Sequence, residues 1–170
     1  ELSFQSVAIE SFRNFMKNFP ESSYASQANE ILINIYTSTH NYKDAITALE
    51  ATENKNQNLK TAYQKVAFYR GVEFFMDNKS EEAVKLFTLS LSYPIDQQLV
   101  AEANYWSGES SYKLNSYESA IKSYSEFIVT PAALKSKHYN TANYNIGYAF
   151  FKKNDYSNSQ MAFRKYILEK

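Results

Sequence analysis

Cysteine is absent from this chain of 170 residues, and glycine and proline occur only three times each. Without cysteine there is no disulfide framework and no thiolate metal site. Glycine this scarce disfavours turn-rich β-sandwiches and the Gly loops that cradle nucleotides. Net charge is also missing: 18 Lys and Arg balance 18 Asp and Glu. That balance argues against a general nucleic-acid binder, whose affinity needs an excess of cations. No apolar run approaches the ~18 residues that cross a bilayer. What is present is 44% hydrophobic residues and 28 aromatics (15 Tyr, 12 Phe, 1 Trp), which is the composition of a folded, core-forming chain. The chain opens at Glu1 and is amphipathic by Val7-Ala8-Ile9, so it reads as a segment of a longer protein.

The glycines expose an internal repeat. Gly71, Gly108 and Gly147 are 37 and 39 residues apart. Twelve residues after each stands a small residue, Ala83, Ala120 or Ser159, and four further on a bulky one, Phe87, Tyr124 or Phe163. An earlier copy has Ile33 in place of glycine, then Ala45 and Leu49. A leading half-copy keeps Ala8 and Phe12. Pro20, Pro94 and Pro131 fall 11 or 12 residues after Ala8, Ala83 and Ala120. The units are a half repeat over 1–20, then full repeats over about 22–56, 59–94, 96–131 and 136–170.

Each full unit reads as two helices. Residues 61–77, 97–114 and 136–153 carry apolar side chains at three- and four-residue spacing. Polar breaks follow at His40-Asn41, Asn78-Lys79, Asn115-Ser116 and Asn154-Asp155. Asn41, Ser116 and Asp155 are suited to cap the next helix; Lys79 is not, and Ser80 can take its place. Second helices are predicted over 4–18, 42–53, 80–92, 117–129 and 156–168, three of them closed by proline. A glycine within a helix costs ~1 kcal/mol against alanine, so three in one phase need a packing reason. The expected reason is a notch where two antiparallel helices cross, with Ala83, Ala120 and Ser159 as its counterpart. The bulky residue one turn later is expected to fill the space between units. The fold class predicted is all-α, an α-α superhelix of about nine helices in antiparallel pairs.

This pattern resembles the tetratricopeptide repeat, whose unit has a glycine in its first helix, an aromatic three residues later, a small residue twelve later and a closing proline. Residues 145–156 (NIGYAFFKKNDY) match closely, and 105–120 nearly as well. The period is longer than the family's usual ~34 residues, with the surplus in the second helix and the loop after it. Phe12, Phe15, Pro20, Ser22, Ala25 and Ala28 further resemble a junction in bacterial envelope repeat proteins of the outer-membrane assembly and Tol–Pal groups. The wealth of Asn, Ser, Tyr and Lys resembles the usage of an AT-rich, Bacteroides-like genome. The likeness favours the cell envelope or periplasm.

The resemblance implies that first helices line a concave inner face. By offset from the glycine, that face holds Glu30, Phe68, Tyr105 and Tyr144, then Asn34, Val72, Glu109 and Tyr148. Further along come Thr37, Phe75, Tyr112 and Phe151, then Ser38, Met76, Lys113 and Lys152. The groove should be polar in its first unit and aromatic beyond. Phe68, Tyr105, Glu109, Lys113, Tyr144, Tyr148 and Lys152 are therefore the candidate partner-binding residues. The structural positions are Gly71, Gly108, Gly147, Ala45, Ala83, Ala120 and Ser159. Phe75, Tyr112 and Phe151 have two readings, groove lining or packing between helices, and Trp106 can face either way. The cationic clamp by which co-chaperone members hold a carboxylate is missing, since only Asn34 matches it. Residues 130–170 carry seven Lys or Arg against two acids, either a solvated face or a surface for an acidic partner.

No nucleophile motif and no His/Glu metal spacing occurs. His40 reads as turn chemistry and His138 as a surface residue at a helix start. The function implied is a non-catalytic scaffold that binds a protein or peptide, with no cofactor or metal. Two alternatives stay open: a glycan-binding module of an outer-membrane lipoprotein, and self-association through the repeat ends or a mere spacer.

Overall fold

The computed structural model describes residues 2–52 and 55–168, with the side chains of 2, 3 and 5 left aside. Nine α-helices follow one another among the described residues: α1 (Leu2–Asn18), α2 (Ala25–Ser38), α3 (Tyr42–Glu50), α4 (Gln57–Met76), α5 (Ser80–Leu91), α6 (Gln97–Lys113), α7 (Tyr117–Val129), α8 (Tyr139–Lys152) and α9 (Tyr156–Leu168). A short 3₁₀ helix, Pro131–Lys135, precedes α8, and no strand occurs among the described residues. Each helix packs on the next, which makes an all-α helical solenoid of consecutive pairs.

Helix ends moved by a few residues from expectation. α4 starts at Gln57 because Asn56 caps it, its side chain accepting from Leu59 N–H at 2.9 Å. α8 starts only at Tyr139, because the chain before it is spent on the 3₁₀ turn. α3 stops at Glu50; residue 53 of the predicted span 42–53, and residues 169 and 170 of the last unit, lie outside the described residues.

The four breaks within units share one backbone solution. His40, Asn78, Asn115 and Asn154 all have φ between 57° and 61°. This is the left-handed region, which Asn tolerates better than most side chains. The next residue's N–H then reaches back over the turn: Asn41 to Tyr36 O (2.8 Å), Lys79 to Phe74 O (2.8 Å), Ser116 to Ser111 O (2.9 Å) and Asp155 to Phe150 O (3.0 Å). These bonds satisfy carbonyls that the ending helix leaves open. Capping of the following helix is less uniform. Asn41 and Asp155 accept from Asp44 and Asn158 N–H. Ser116 makes no side-chain cap, contrary to expectation, and Ser80 is buried within α5 instead of capping it.

The glycine notch is real, but what fills it differs from expectation. A Cβ on Gly71 would lie 2.8 Å from the Phe87 ring, on Gly108 2.6 Å from the Tyr124 ring, and on Gly147 2.7 Å from the Phe163 ring. The bulky residue thus occupies its own unit's notch, not the space between units. Ala45, Ala83 and Ala120 are fully buried. Ser159 is buried as well, and its hydroxyl donates to Gly147 O at 2.9 Å, which is why serine is accepted there. The first full unit solves the same crossing in reverse: Ile33 stands for glycine, and the smaller Leu49 stands for the ring. Both are fully buried in one cluster. Volume is moved across the interface and not lost, as close packing demands.

Units are also tied by polar contacts that periodicity does not reveal. Gln64 is fully buried; its amide donates to Asp96 O (3.0 Å) and accepts from Asp96 N–H (2.8 Å). Ser90 closes the set by donating to Gln64 O at 2.9 Å. Both the nitrogen and the oxygen of the buried side-chain amide thus have a partner on the Asp96 backbone, which holds the loop that follows Pro94 in place.

Candidate functional site

The first full unit presents a polar concavity of about 310 Å³ between α2 and α4, lined by Glu30, Asn34, Thr37, Asn58 and Thr61 among others. Asn58 Nδ2 donates to Glu30 Oε1 at 3.0 Å across it. The polar first unit was expected; the aromatic stretch beyond it is sorted differently.

Phe68 and Tyr105 are buried, 6% and 7% exposed, so neither lines a groove. Phe68 packs among Phe87 and Ala103, under the following unit. Tyr105 lies flat against His138, ring centroids 4.0 Å apart. The cover comes from the long link after α7, whose 3₁₀ turn carries His138 over α6. His138 is accordingly half-buried, not a free surface residue. Burial holds its pKa below the usual value; Glu102 and Glu109 oppose this and Lys137 adds to it. Burial, with the Glu109 charge second, pushes the Tyr105 hydroxyl up to about 12.

The other candidates gather at α6 and α8. Tyr144 and Tyr148 are exposed at 41% and 40%, their rings 4.8 Å apart. Tyr144 takes the offset of buried Phe68 and Tyr105 and is open, because no later helix pair among the described residues lies over it. Glu109 is half-buried, accepting from the Tyr124 hydroxyl at 2.7 Å and from Asn145 Nδ2 at 2.8 Å, both on Oε1. Burial, reinforced by Glu109, drives the Tyr124 hydroxyl far above its ordinary pKa. Lys113 is exposed but turned back, its ammonium 4.0 Å from the Phe75 ring centroid and bonded to Asn78 Oδ1 at 3.2 Å. Lys152 is exposed.

Of the three rings with two readings, Phe75 is buried packing, Tyr112 is half-buried and Phe151 is 49% exposed. Trp106 packs against Phe75, centroids 5.1 Å apart, and adjoins two of the core clusters. Within the basic stretch, Lys153 is paired with Glu118 of the preceding unit.

Glu109, Tyr112, Tyr124, Tyr144, Asn145 and Tyr148 line an open pocket of about 230 Å³ between α6 and α8. Asn145 and Tyr124 were missed as site residues. Two signals could have found them. Two residues before the glycine, the second and third units carry Tyr69 and Trp106, and the fourth carries Asn145. In the notch-filling position, Tyr124 alone has a hydroxyl, where the other units have Leu49, Phe87 and Phe163.

No group of three or more His, Asp or Glu is placed to hold a metal ion, and no helix is long and apolar enough to cross a membrane, among the described residues. No family model matches the chain, and no curated protein matches it.

Proposed function

We propose that this chain is a non-catalytic tetratricopeptide-type scaffold that receives a protein or peptide partner on the α6–α8 face. The observation that carries the reading is the pocket bounded by Glu109, Tyr112, Asn145 and Tyr148. It opens between the first helices of consecutive units, and rigid rings with polar tips are the side chains that binding surfaces favour. The glycine-and-ring crossings and the junction residues around Phe12 and Ala28 support the long-period envelope type of repeat. The test compares partners captured from the source cell by the native chain and by Tyr148→Ala. A partner retained by the first and lost by the second, with the melting temperature unchanged, supports the reading. A partner set identical for both removes the pocket from the binding surface. Trp106 is half-buried against Phe75, Tyr105 and His138, away from the pocket. Tyrosine resonances, not tryptophan emission, are therefore the readout for any added oligosaccharide.

A further inference from the structure

We propose that the α6–α8 pocket is a receptor for a cationic side chain, lysine or arginine, on the bound partner; this rests on the scaffold reading above. Glu109 is the only charged residue among those lining the pocket, the other five being four tyrosines and an asparagine. Its two donors, the Tyr124 hydroxyl and the Asn145 amide, are both neutral, so they orient the carboxylate without cancelling its charge. None of the ion pairs among the described residues involves it. The lysine one turn further along α6, Lys113, is engaged with Phe75 and Asn78.

A half-buried carboxylate in a pocket otherwise lined by tyrosines and an asparagine offers a cation two attractions at once. The charge acts through a medium less screening than water, and the tyrosines that line the same pocket are a ring type that attracts cations. An anion is repelled by the same arrangement. A saccharide is less well served, because it stacks on an open, flat ring face. Tyr144 and Tyr148 are instead tilted by 56° to each other and packed on Phe163 at 60° and 82°. One of the side chains that distinguish this step from the one before it is Asn145. At the equivalent step one unit earlier, Trp106 fills the space against Phe75. Asn145 in that place is short enough to leave room, and its amide fixes the carboxylate. A volume of about 230 Å³ accommodates one long side chain and little more.

The probes are three short peptides, Ac-Gly-Lys-Gly-amide, Ac-Gly-Arg-Gly-amide and the norleucine analogue of the first, titrated into the full chain. The ring resonances of Tyr112 and Tyr148 are followed by NMR. The lysine or arginine peptide should give a saturable shift, with the norleucine peptide roughly tenfold weaker or worse. Glu109→Gln keeps an oxygen acceptor for Tyr124 and Asn145, so it should fold and lose the discrimination between lysine and norleucine. Asn145→Trp should abolish the shift by filling the pocket. If Glu109→Gln does not fold, exposed Tyr148→Leu serves in its place and should weaken the lysine peptide several-fold. Equal shifts from lysine and norleucine peptides, or full discrimination surviving in Glu109→Gln, would overturn the proposal. So would a neutral oligosaccharide that shifts these rings when the cationic peptides do not. A captured partner lost with Tyr148→Ala, in a chain that does not distinguish lysine from norleucine, sinks the cation pocket and leaves the scaffold standing.

Discussion

The step from α4 to α6 and the step from α6 to α8 are built from the same repeat positions and end differently. In the first, Phe75 and Trp106 meet edge to face at 5.1 Å and the space is filled. In the second, Tyr112 and Asn145 occupy those positions, Glu109 stands between them, and a pocket of about 230 Å³ remains. The difference teaches that a solenoid can keep its crossings constant and vary its surface one side chain at a time. The glycine and ring that hold the crossing, Gly108 with Tyr124, are the counterparts of Gly71 with Phe87. Only the added hydroxyl of Tyr124 turns a packing residue into a support for Glu109.

The comparison breaks most severely if the shared crossing is broken. Gly108→Leu forces a side chain into the Tyr124 ring and should destabilise the chain by roughly 3 kcal/mol, the upper range for overpacking. The melting temperature reads this out, and an unchanged value would mean the notch is not needed. Next in size, Trp106→Ala should cost about 2–3 kcal/mol by emptying the filled step, less than a fully buried tryptophan because Trp106 is half-buried. It should also open a second concavity, visible as altered resonances of Phe75. Tyr124→Phe is smaller. It keeps the ring in the notch and removes one donor to Glu109, for roughly 1 kcal/mol by denaturant titration. A loss as large as that of Gly108→Leu would show that the hydroxyl, not the ring, holds the crossing.

The smallest effect is a pH slope from His138. Burial lowers its pKa in the folded chain, so the unfolded chain binds a proton more readily. Its contribution is therefore fully present above the unfolded value, about 6.5. It is lost as pH falls from there through the folded value. His138→Asn should flatten that part of the stability profile, and a profile the same in both chains would show that the histidine does not titrate with folding.

Much of this was legible in the residues. Three glycines in one phase located three crossings, and polar pairs such as Asn115-Ser116 located the turns. His40 could be read as a turn residue because it stands where the other units have Asn, and its φ of 57° shows why. Less legible was which aromatic residues face outward. Phe68, Tyr105 and Tyr144 share one offset, yet the first two are covered by the following unit and the third is not. Offsets encode the direction of a side chain on its helix, but exposure depends on what the next helix lays over it.

The amino-acid order by itself determined the helices, their pairing and the volume exchange at each crossing, because these depend on neighbours one turn or one hairpin away. Tertiary structure alone decided that the extra residues before α8 would fold over α6 and bury Tyr105 beneath His138. It also decided that Glu109, Tyr124 and Asn145, from three different helices, would meet at one carboxylate. Those outcomes depend on the rotation between units, a quantity spread over whole interfaces and carried by no single motif.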